Sequence, residues 1–343
     1  MNPSNYKILV TGGTGYIGSH TSVKLLQEGF SIVLIDNLSN SSIKVLNRIK
    51  ELTNINFDFI EGDIRDKRLL KRIFKQYKFD GVIHFAGLKA VGESEERPLT
   101  YFENNVNGSI ALLNEMDCAD VNCLVFSSSA TVYGEPILPK CDEETELSPK
   151  NIYGQTKLIV EDILTSLKKI QPKWKIVNLR YFNPIGAHPS GLIGEDPSGQ
   201  PNNLLPYISQ VAIGKREKLF IFGDDYNTTD GSGRRDYIHI QDLADGHIAA
   251  LKKLLQGDPI KTNINLGTGK SYSVFEVINA FEKASSKTIP FEIISRREGD
   301  VGEIYADITY ANDNLGWSPK FDINDMCKDA WRWQSKNPNG YNE

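Results

Sequence analysis

The chain has 343 residues, 24% charged and 40% hydrophobic, with 39 Lys and Arg against 44 Asp and Glu and a net charge of -5. Two domains with a cleft between them fit this length, whereas disorder and a small disulfide-stapled module are excluded. The mild negative charge gives no global field for nucleic acid or anionic lipid, so an anionic ligand needs a local pocket.

Residues 1–10 lack the charged start, longer apolar core and cleavage site of a secretory signal, and no apolar stretch reaches the ~20 residues that span a bilayer. A cytosolic protein without membrane or nucleic-acid partners is expected. Cys118, Cys123, Cys141 and Cys327 have neither Cys-x-x-Cys spacing nor a nearby His set, which points to reduced structural thiols and no metal. Strands are predicted at 7–11, 31–36, 57–61, 81–85, 123–127 and 175–180, and helices at 18–28, 43–52, 66–77, 100–116 and 153–170. This alternation is that of an α/β fold, a doubly wound, Rossmann-like parallel sheet with ligands beyond the carboxyl ends of its strands. Seven basic residues crowd 65–78. Leu69, Leu70, Ile73, Phe74 and Tyr77 recur there at helical spacing, so the cations occupy a solvated face.

After Asn183, residues 186–203 are rich in Gly, Pro, Asn and Ser, as in a long surface connection. A boundary there divides a dinucleotide-binding domain, 1–183, from a smaller α/β substrate lobe, 184–343. That lobe carries helices near 204–213, 240–255 and 274–283 and a loosely held polar tail at 337–343. The run Gly267-Thr268-Gly269-Lys270-Ser271 has Ile264 where a P-loop needs its first glycine, so ATP hydrolysis is not indicated.

Directly after the first strand stands Thr11-Gly12-Gly13-Thr14-Gly15-Tyr16-Ile17-Gly18. Gly12, Gly15 and Gly18 permit a tight turn, close approach of a pyrophosphate and close helix–strand packing, with the helix N-terminus facing the phosphates. Asp36 closes the second strand near the ~20-residue spacing at which a carboxylate accepts from an adenosine ribose and repels a 2′-phosphate, which selects NAD. Tyr153 and Lys157, four apart, share one helix face downstream of Ser127-Ser128-Ser129. A tyrosine of ordinary pKa is about one part in a thousand ionised at pH 7, and making it a base requires roughly 4 kcal/mol. One nearby cation lowers a pKa by about 1 to 3. Lys157 and the positive nicotinamide of oxidised NAD together meet that need.

Tyr-x-x-x-Lys with an upstream Ser and an N-terminal Gly-x-x-Gly-x-x-Gly resembles the extended short-chain dehydrogenase/reductase family. From Ile8 to Tyr341 the chain is similar to the UDP-glucose (UDP-galactose) 4-epimerases within it. The strings that carry this are His84-Phe85-Ala86-Gly87-Leu88-Lys89-Ala90-Val91-Gly92-Glu93-Ser94, Arg180-Tyr181-Phe182-Asn183-Pro184, Gly186-Ala187-His188-Pro189-Ser190-Gly191 and Arg235-Asp236-Tyr237-Ile238-His239. The resemblance implies NAD contacts at Tyr16, Ile17, Asp36, Asn37, Asp63, Ile64, Phe85, Ala86, Gly87, Lys89, Asn104, Tyr153, Lys157 and Phe182. It implies Ser129 and Tyr153 as catalytic hydroxyls with Lys157 as their cation. UDP-hexose contacts fall at Lys89, Ser129, Tyr153, Asn183, Asn203, Leu204, Phe220, Phe222, Arg235, Tyr237, Arg297 and Asp300. Arg235 and Arg297 are the forked donors that a diphosphate requires.

The same resemblance implies oxidation at sugar C4, rotation of the 4-keto sugar and return of the hydride, on a homodimer formed through helices corresponding to 98–116 and 153–170. The residue beside sugar C2 falls, counting without gaps from Arg297, at Ile304. Being smaller than Tyr, it implies admission of UDP-N-acetylhexosamines, whereas a one-residue slip would put Tyr305 there. Related 4,6-dehydratases carry Asp-Glu after their Ser-Thr, and Ala130-Thr131-Val132 follow Ser129 here, which disfavours dehydration. Two alternatives are another UDP-sugar enzyme of this fold, such as a decarboxylase or simple dehydrogenase, and a silent NAD-binding protein. The intact Ser129, Tyr153 and Lys157 set speaks against the latter.

Overall fold

The computed structural model describes residues 2–297 and 299–342. Seven parallel strands form its main sheet in the spatial order Asn263–Leu266, Lys175–Tyr181, Cys123–Ser129, Gly81–His84, Lys7–Thr11, Ser31–Asp36 and Asp58–Glu61. Alternate residues of each strand feed opposite cores, as the pleat demands. Ile8 and Val10 pack with Val23, Leu26 and Leu251, while Leu9 packs with Leu70, Leu112 and Leu164. Burying each such side chain contributes about 1.5 to 3 kcal/mol. Because both faces are covered, the strands read as unbroken apolar runs.

Helix Lys67–Gln76 starts where Asp66 accepts from the Arg68 and Leu69 amides, and it buries Leu70, Ile73 and Phe74 while its cations face solvent. The helix expected at 100–116 is instead interrupted. Pro98–Tyr101 leads into a π-helical turn, Phe102–Asn107, before Gly108–Cys118 resumes the α-helix. The turn carries Asn105, whose amide is fully engaged: Oδ1 accepts from Leu88 N at 2.8 Å, and Nδ2 donates to Leu88 O at 3.0 Å and Thr156 Oγ1 at 3.1 Å. Such turns recur at functional sites, and this one holds the loop after strand Gly81–His84.

Elements from after the boundary expected at 183 pack into the first sheet and its covering layer. Helix Ile240–Gln256 packs on Tyr16–Gln27, and strand Asn263–Leu266 pairs with Lys175–Tyr181 as the sheet's edge. Parallel pairing needs a long crossover, and here the crossover includes part of the second lobe. That lobe packs Leu204–Ala212, Val274–Ser285 and Ile323–Lys336 around Ile208, Val277, Phe281 and Met326. The tail expected to be loose is docked through residue 342. Tyr341 is buried against Trp333 with ring centroids 4.7 Å apart, and Asn337 Nδ2 donates to Gly191 O at 2.9 Å. The 186–203 stretch is likewise more than a surface connection, since Ile193 is fully buried and Gly194 to Ser198 line the cleft described next.

Candidate active site

A cleft of about 510 Å³ opens beyond the carboxyl ends of the strands, where strand order reverses beside Lys7–Thr11. Its wall holds Gly12, Gly15, Tyr16, Ile17, Gly18, Asp36, Asn37, Asp63, Ile64, Phe85, Ala86, Gly87, Lys89, Asn104, Tyr153 and Lys157. Of the residues predicted to contact NAD, only Phe182 lies elsewhere, in an apolar cluster with Ala130, Val132 and Ile304. Gly12 has φ +67°, and a Cβ there would stand 2.8 Å from Ala86 N. At Gly18 a Cβ would stand 2.1 Å from Gly12 O. The main chain thus forms a cradle that side chains would fill. Helix Tyr16–Gln27 begins at Gly15 with no side-chain cap, leaving first-turn N–H groups available to an anion. Asp36 accepts from Thr14 N at 3.1 Å and Leu38 N at 2.9 Å, tying the glycine loop to the second strand. Asn37 Nδ2 and the Arg65 guanidinium both donate to Asp63, and chiefly the Arg65 bond holds that carboxyl well below the usual range. A glycine cradle, an uncapped helix end and a carboxylate at the second strand fit a dinucleotide.

Tyr153 and Lys157 stand in the first turns of helix Ile152–Ile170. Its start is pinned by Asn151, which accepts from Gly154 N at 2.8 Å, and by Ser94, whose Oγ accepts from Tyr153 N at 3.2 Å. Lys157 Nζ donates to Ser127 O at 2.6 Å and stands 5.8 Å from the Tyr153 ring centroid. Burial lowers its pKa to about 8, against a raising contribution from Glu161, so it remains cationic at pH 7. Burial pushes Tyr153 up to about 12, and hydrogen bonding with Ser129 draws it part of the way back. Without ligand, the site therefore holds a neutral tyrosine near one cation. Ser129 ends strand Cys123–Ser129 and accepts from Thr131 N at 3.2 Å and Thr131 Oγ1 at 3.0 Å.

The residues predicted for the UDP-sugar divide into two groups. Lys89, Tyr153 and Asn203 line the cleft. Phe220, Phe222, Arg235, Arg297 and Asp300 lie outside that wall, and all but Phe220 pair among themselves. Arg235 Nη2 meets Asp300 Oδ1 at 3.3 Å, its Nη1 donates to Val301 O at 2.7 Å, and the Arg297 guanidinium sits 3.7 Å from the Phe222 ring centroid. Glu298, between the two, lies outside the described residues. Asn183 pairs in register with the buried Tyr237, and Leu204 packs in the second-lobe core. Strand Glu303–Ala306 turns Ile304 and Ala306 toward Phe182 and Ala130, while Tyr305 has the opposite side, beside Lys140. Ile304 thus shares an apolar cluster with Ala130, the residue after Ser129.

Three features escape a reading by motif. Tyr181 lines the cleft and donates a hydroxyl hydrogen bond to Ser127. Asn105 sits beside the predicted Asn104 with no signal distinguishing it. Glu195 lines the cleft from inside the supposed connection. The Gly267–Ser271 run binds an internal anion: Asp236 accepts from Thr268 N at 2.7 Å and Gly269 N at 3.0 Å. Among the described residues no group of three or more His, Cys, Asp or Glu could hold a metal, and no helix is long and apolar enough to cross a membrane.

The family model described as GDP-mannose 4,6 dehydratase matches residues 9–330. The chain is 53% identical over 343 residues to the UDP-glucose 4-epimerase of Dictyostelium discoideum, covering 100% of both. It is 54% identical to that of Neisseria meningitidis serogroup B, over 98% of this chain and 99% of the relative. The chain belongs to the UDP-glucose 4-epimerase family. Among solved epimerases, that of Bifidobacterium longum in complex with NAD+ and UDP superposes with a TM-score of 0.93 at 47% identity, covering 97% of this chain and 99% of the other. The UDP-Glc/GlcNAc 4-epimerase of Campylobacter jejuni gives 0.84 at 38% identity, covering 96% and 99%.

Proposed function

We infer that this chain interconverts UDP-glucose and UDP-galactose by inverting the sugar at C4. The observation that carries this is the half-buried Tyr153 and the buried Lys157 on one helix face at a glycine-cradled cleft, with a Ser129 that no carboxylate follows. NAD bound in the cleft would supply hydride-transfer chemistry, accepting hydride from sugar C4 and returning it after rotation of the 4-keto sugar. Gly12, Gly15 and Gly18 cradle its pyrophosphate and Asp36 accepts from its ribose, with the other cleft-wall residues and Phe182 around it. Tyr153 takes the 4-hydroxyl proton, directly or through Ser129, and gives it back on the return. Lys157 and the cofactor's positive charge together oppose the burial that holds Tyr153 neutral. Arg235 and Arg297 grip the diphosphate, and Asn183, Asn203, Leu204, Phe220, Phe222, Tyr237 and Asp300 complete the UDP side, with Lys89 between the two ligands. Ala130, Thr131 and Val132 offer no acid–base pair for water elimination, which separates this site from the dehydratases of the same family model. Incubating the purified protein with UDP-galactose, without added NAD, yields UDP-glucose on this reading. Absence of conversion, or build-up of reduced cofactor in step with product, overturns it.

Ile304 favours a wider substrate range, because it presents a side chain smaller than tyrosine near the strand end of Ser129 and supplies no hydroxyl; UDP-N-acetylhexosamines then share the site. An apolar groove on helices Gly108–Cys118 and Ile152–Ile170 includes Ile110, Ile159 and Ile170, all exposed, and we assign it to a second copy of the chain in a homodimer. A mass from light scattering equal to one chain at micromolar concentration refutes that assignment. The four free thiols, three of them buried, support a cytosolic setting.

A further inference from the structure

One carboxylate spans the two ends of the cleft. Glu195 Oε1 accepts from Lys89 Nζ at 2.9 Å and from Asn203 Nδ2 at 2.9 Å. Lys89 follows strand Gly81–His84 on the cofactor side, and Asn203 precedes helix Leu204–Ala212 on the substrate side. The Glu195 side chain is 9% exposed against 46% for Lys89, so the glutamate is the fixed partner. Its main chain is anchored twice. Glu195 O accepts from Trp333 Nε1 at 3.2 Å, while Gly194 N donates to the Tyr341 hydroxyl at 3.1 Å and Gly194 O accepts from it at 3.3 Å. A Cβ on Gly194 would lie 2.3 Å from the Trp333 ring, so the close approach that sets this anchor requires glycine. A half-exposed lysine otherwise samples many rotamers, and a preplaced carboxylate restricts them.

We propose that Glu195 is a positioning residue that couples the cofactor and sugar-nucleotide sites, holding Lys89 for one and Asn203 for the other through a single oxygen. The proposal rests on the roles given to Lys89 and Asn203 above. Occupancy of either site then orders the shared oxygen for the other, and the coupling is reciprocal. Its readout is exchange of bound NAD against excess labelled NAD, measured on the purified holoenzyme with and without saturating UDP. In the wild type UDP slows exchange about tenfold, the scale of one charge-assisted hydrogen bond. Glu195→Ala abolishes the slowing and raises the KM for UDP-galactose about tenfold while kcat changes less. Glu195→Gln keeps an oxygen for Asn203 and loses the charge facing Lys89, so it retains part of the slowing. It also carries the test if the alanine variant does not fold. A purely architectural glutamate would lower thermal stability and leave the UDP effect on exchange intact. Equal slowing in wild type and both variants overturns the proposal alone, whereas a wild type that neither retains NAD nor epimerises overturns the functional reading with it.

Discussion

The cofactor cleft and the cluster proposed to hold the sugar nucleotide are built differently. At the cofactor end the recognising groups are main-chain: a loop with Gly12 at φ +67°, an uncapped helix start and strand ends fixed by a sheet buried on both faces. In the cluster proposed for the sugar nucleotide they are side chains already engaged with each other, Arg235 with Asp300 and Val301 O, and Arg297 with the Phe222 ring. A ligand at the first end meets a finished cradle, whereas at the second it must exchange one set of charge-assisted bonds for another, and only the difference stabilises the complex. Main-chain recognition therefore fails at the addition of one methyl group, while side-chain recognition degrades by steps.

The largest expected effect is at the meeting point of the two ends. Tyr153→Phe keeps the fold and bound NAD but lowers epimerisation by about 10⁴-fold, and Ser129→Ala, which removes a relay and leaves the base, by about 10²-fold. Steady-state rates on cofactor-replete protein check both, and near-normal turnover in Tyr153→Phe would falsify the role of its hydroxyl. Gly18→Ala tests the cradle. Its Cβ must displace Gly12 O, an overpacking worth about 1 to 3 kcal/mol, so NAD retained through gel filtration falls about 10- to 100-fold. Full retention would mean that the loop yields more easily than its geometry indicates.

At the other end, Arg235→Ala raises the KM for UDP-galactose about tenfold or more with NAD content unchanged, because it removes charged donors and leaves the glycine loop alone. Loss of NAD in that variant would erase the contrast between the two ends. Acidification should weaken the fold. Burial lowers His20 and His84 to about 3 and His188 and His247 to about 4. The unfolded chain therefore binds more protons below pH about 6.5, and stability falls from there toward pH about 4. Asp236, raised to about 6 by burial, has the opposite sign: its contribution is complete below the ordinary carboxylate pKa and is lost as pH rises through about 6. Burial raises Glu143, Asp162, Asp196 and Asp242 as well, with the same sign as Asp236. The four strongly lowered histidines outweigh these carboxyls and predict a melting temperature several degrees lower at pH 5 than at pH 7; an equal or higher value at pH 5 contradicts the balance. The smallest effect is on selectivity. Ile304→Tyr lowers kcat/KM for UDP-N-acetylglucosamine relative to UDP-glucose by about 10-fold, the discrimination scale of a modest change in pocket size. An unchanged ratio, or a wild type that rejects the N-acetyl sugar, removes Ile304 from substrate choice.

What the sequence discloses follows from locality. The glycine loop and the Tyr153–Lys157 pair are legible because each lies within one or two turns of chain, where residue type and spacing determine geometry. Glu195 is not, since Lys89 reaches it from 106 residues away and its own neighbourhood, Asn203 included, reads as linker. Strand Asn263–Leu266 offers only four residues, and its membership in the first sheet depends on tertiary pairing. Helix Ile323–Lys336 does carry a local signal, Asp322 and Asp325 as a capping box before Ile323, Met326, Ala330 and Trp333. That signal is diluted by intervening charges and is easily passed over. The docked tail hangs on Tyr341 and Trp333, whose contact no periodicity announces.

The return of the chain to the first sheet bears on how the molecule is made. A nascent chain that has emerged through Tyr181 has six of the seven strands, but the outer edge of Lys175–Tyr181 is bare and helix Tyr16–Gln27 lacks the helix that covers it. Bare parallel edges pair slowly and invite the wrong partners. The late strand Asn263–Leu266 closes that edge only once the chain has passed through much of the other lobe, so completion of the first sheet waits on synthesis of that lobe. A chain ending after Tyr181 is expected to leave that strand edge and one face of helix Tyr16–Gln27 uncovered.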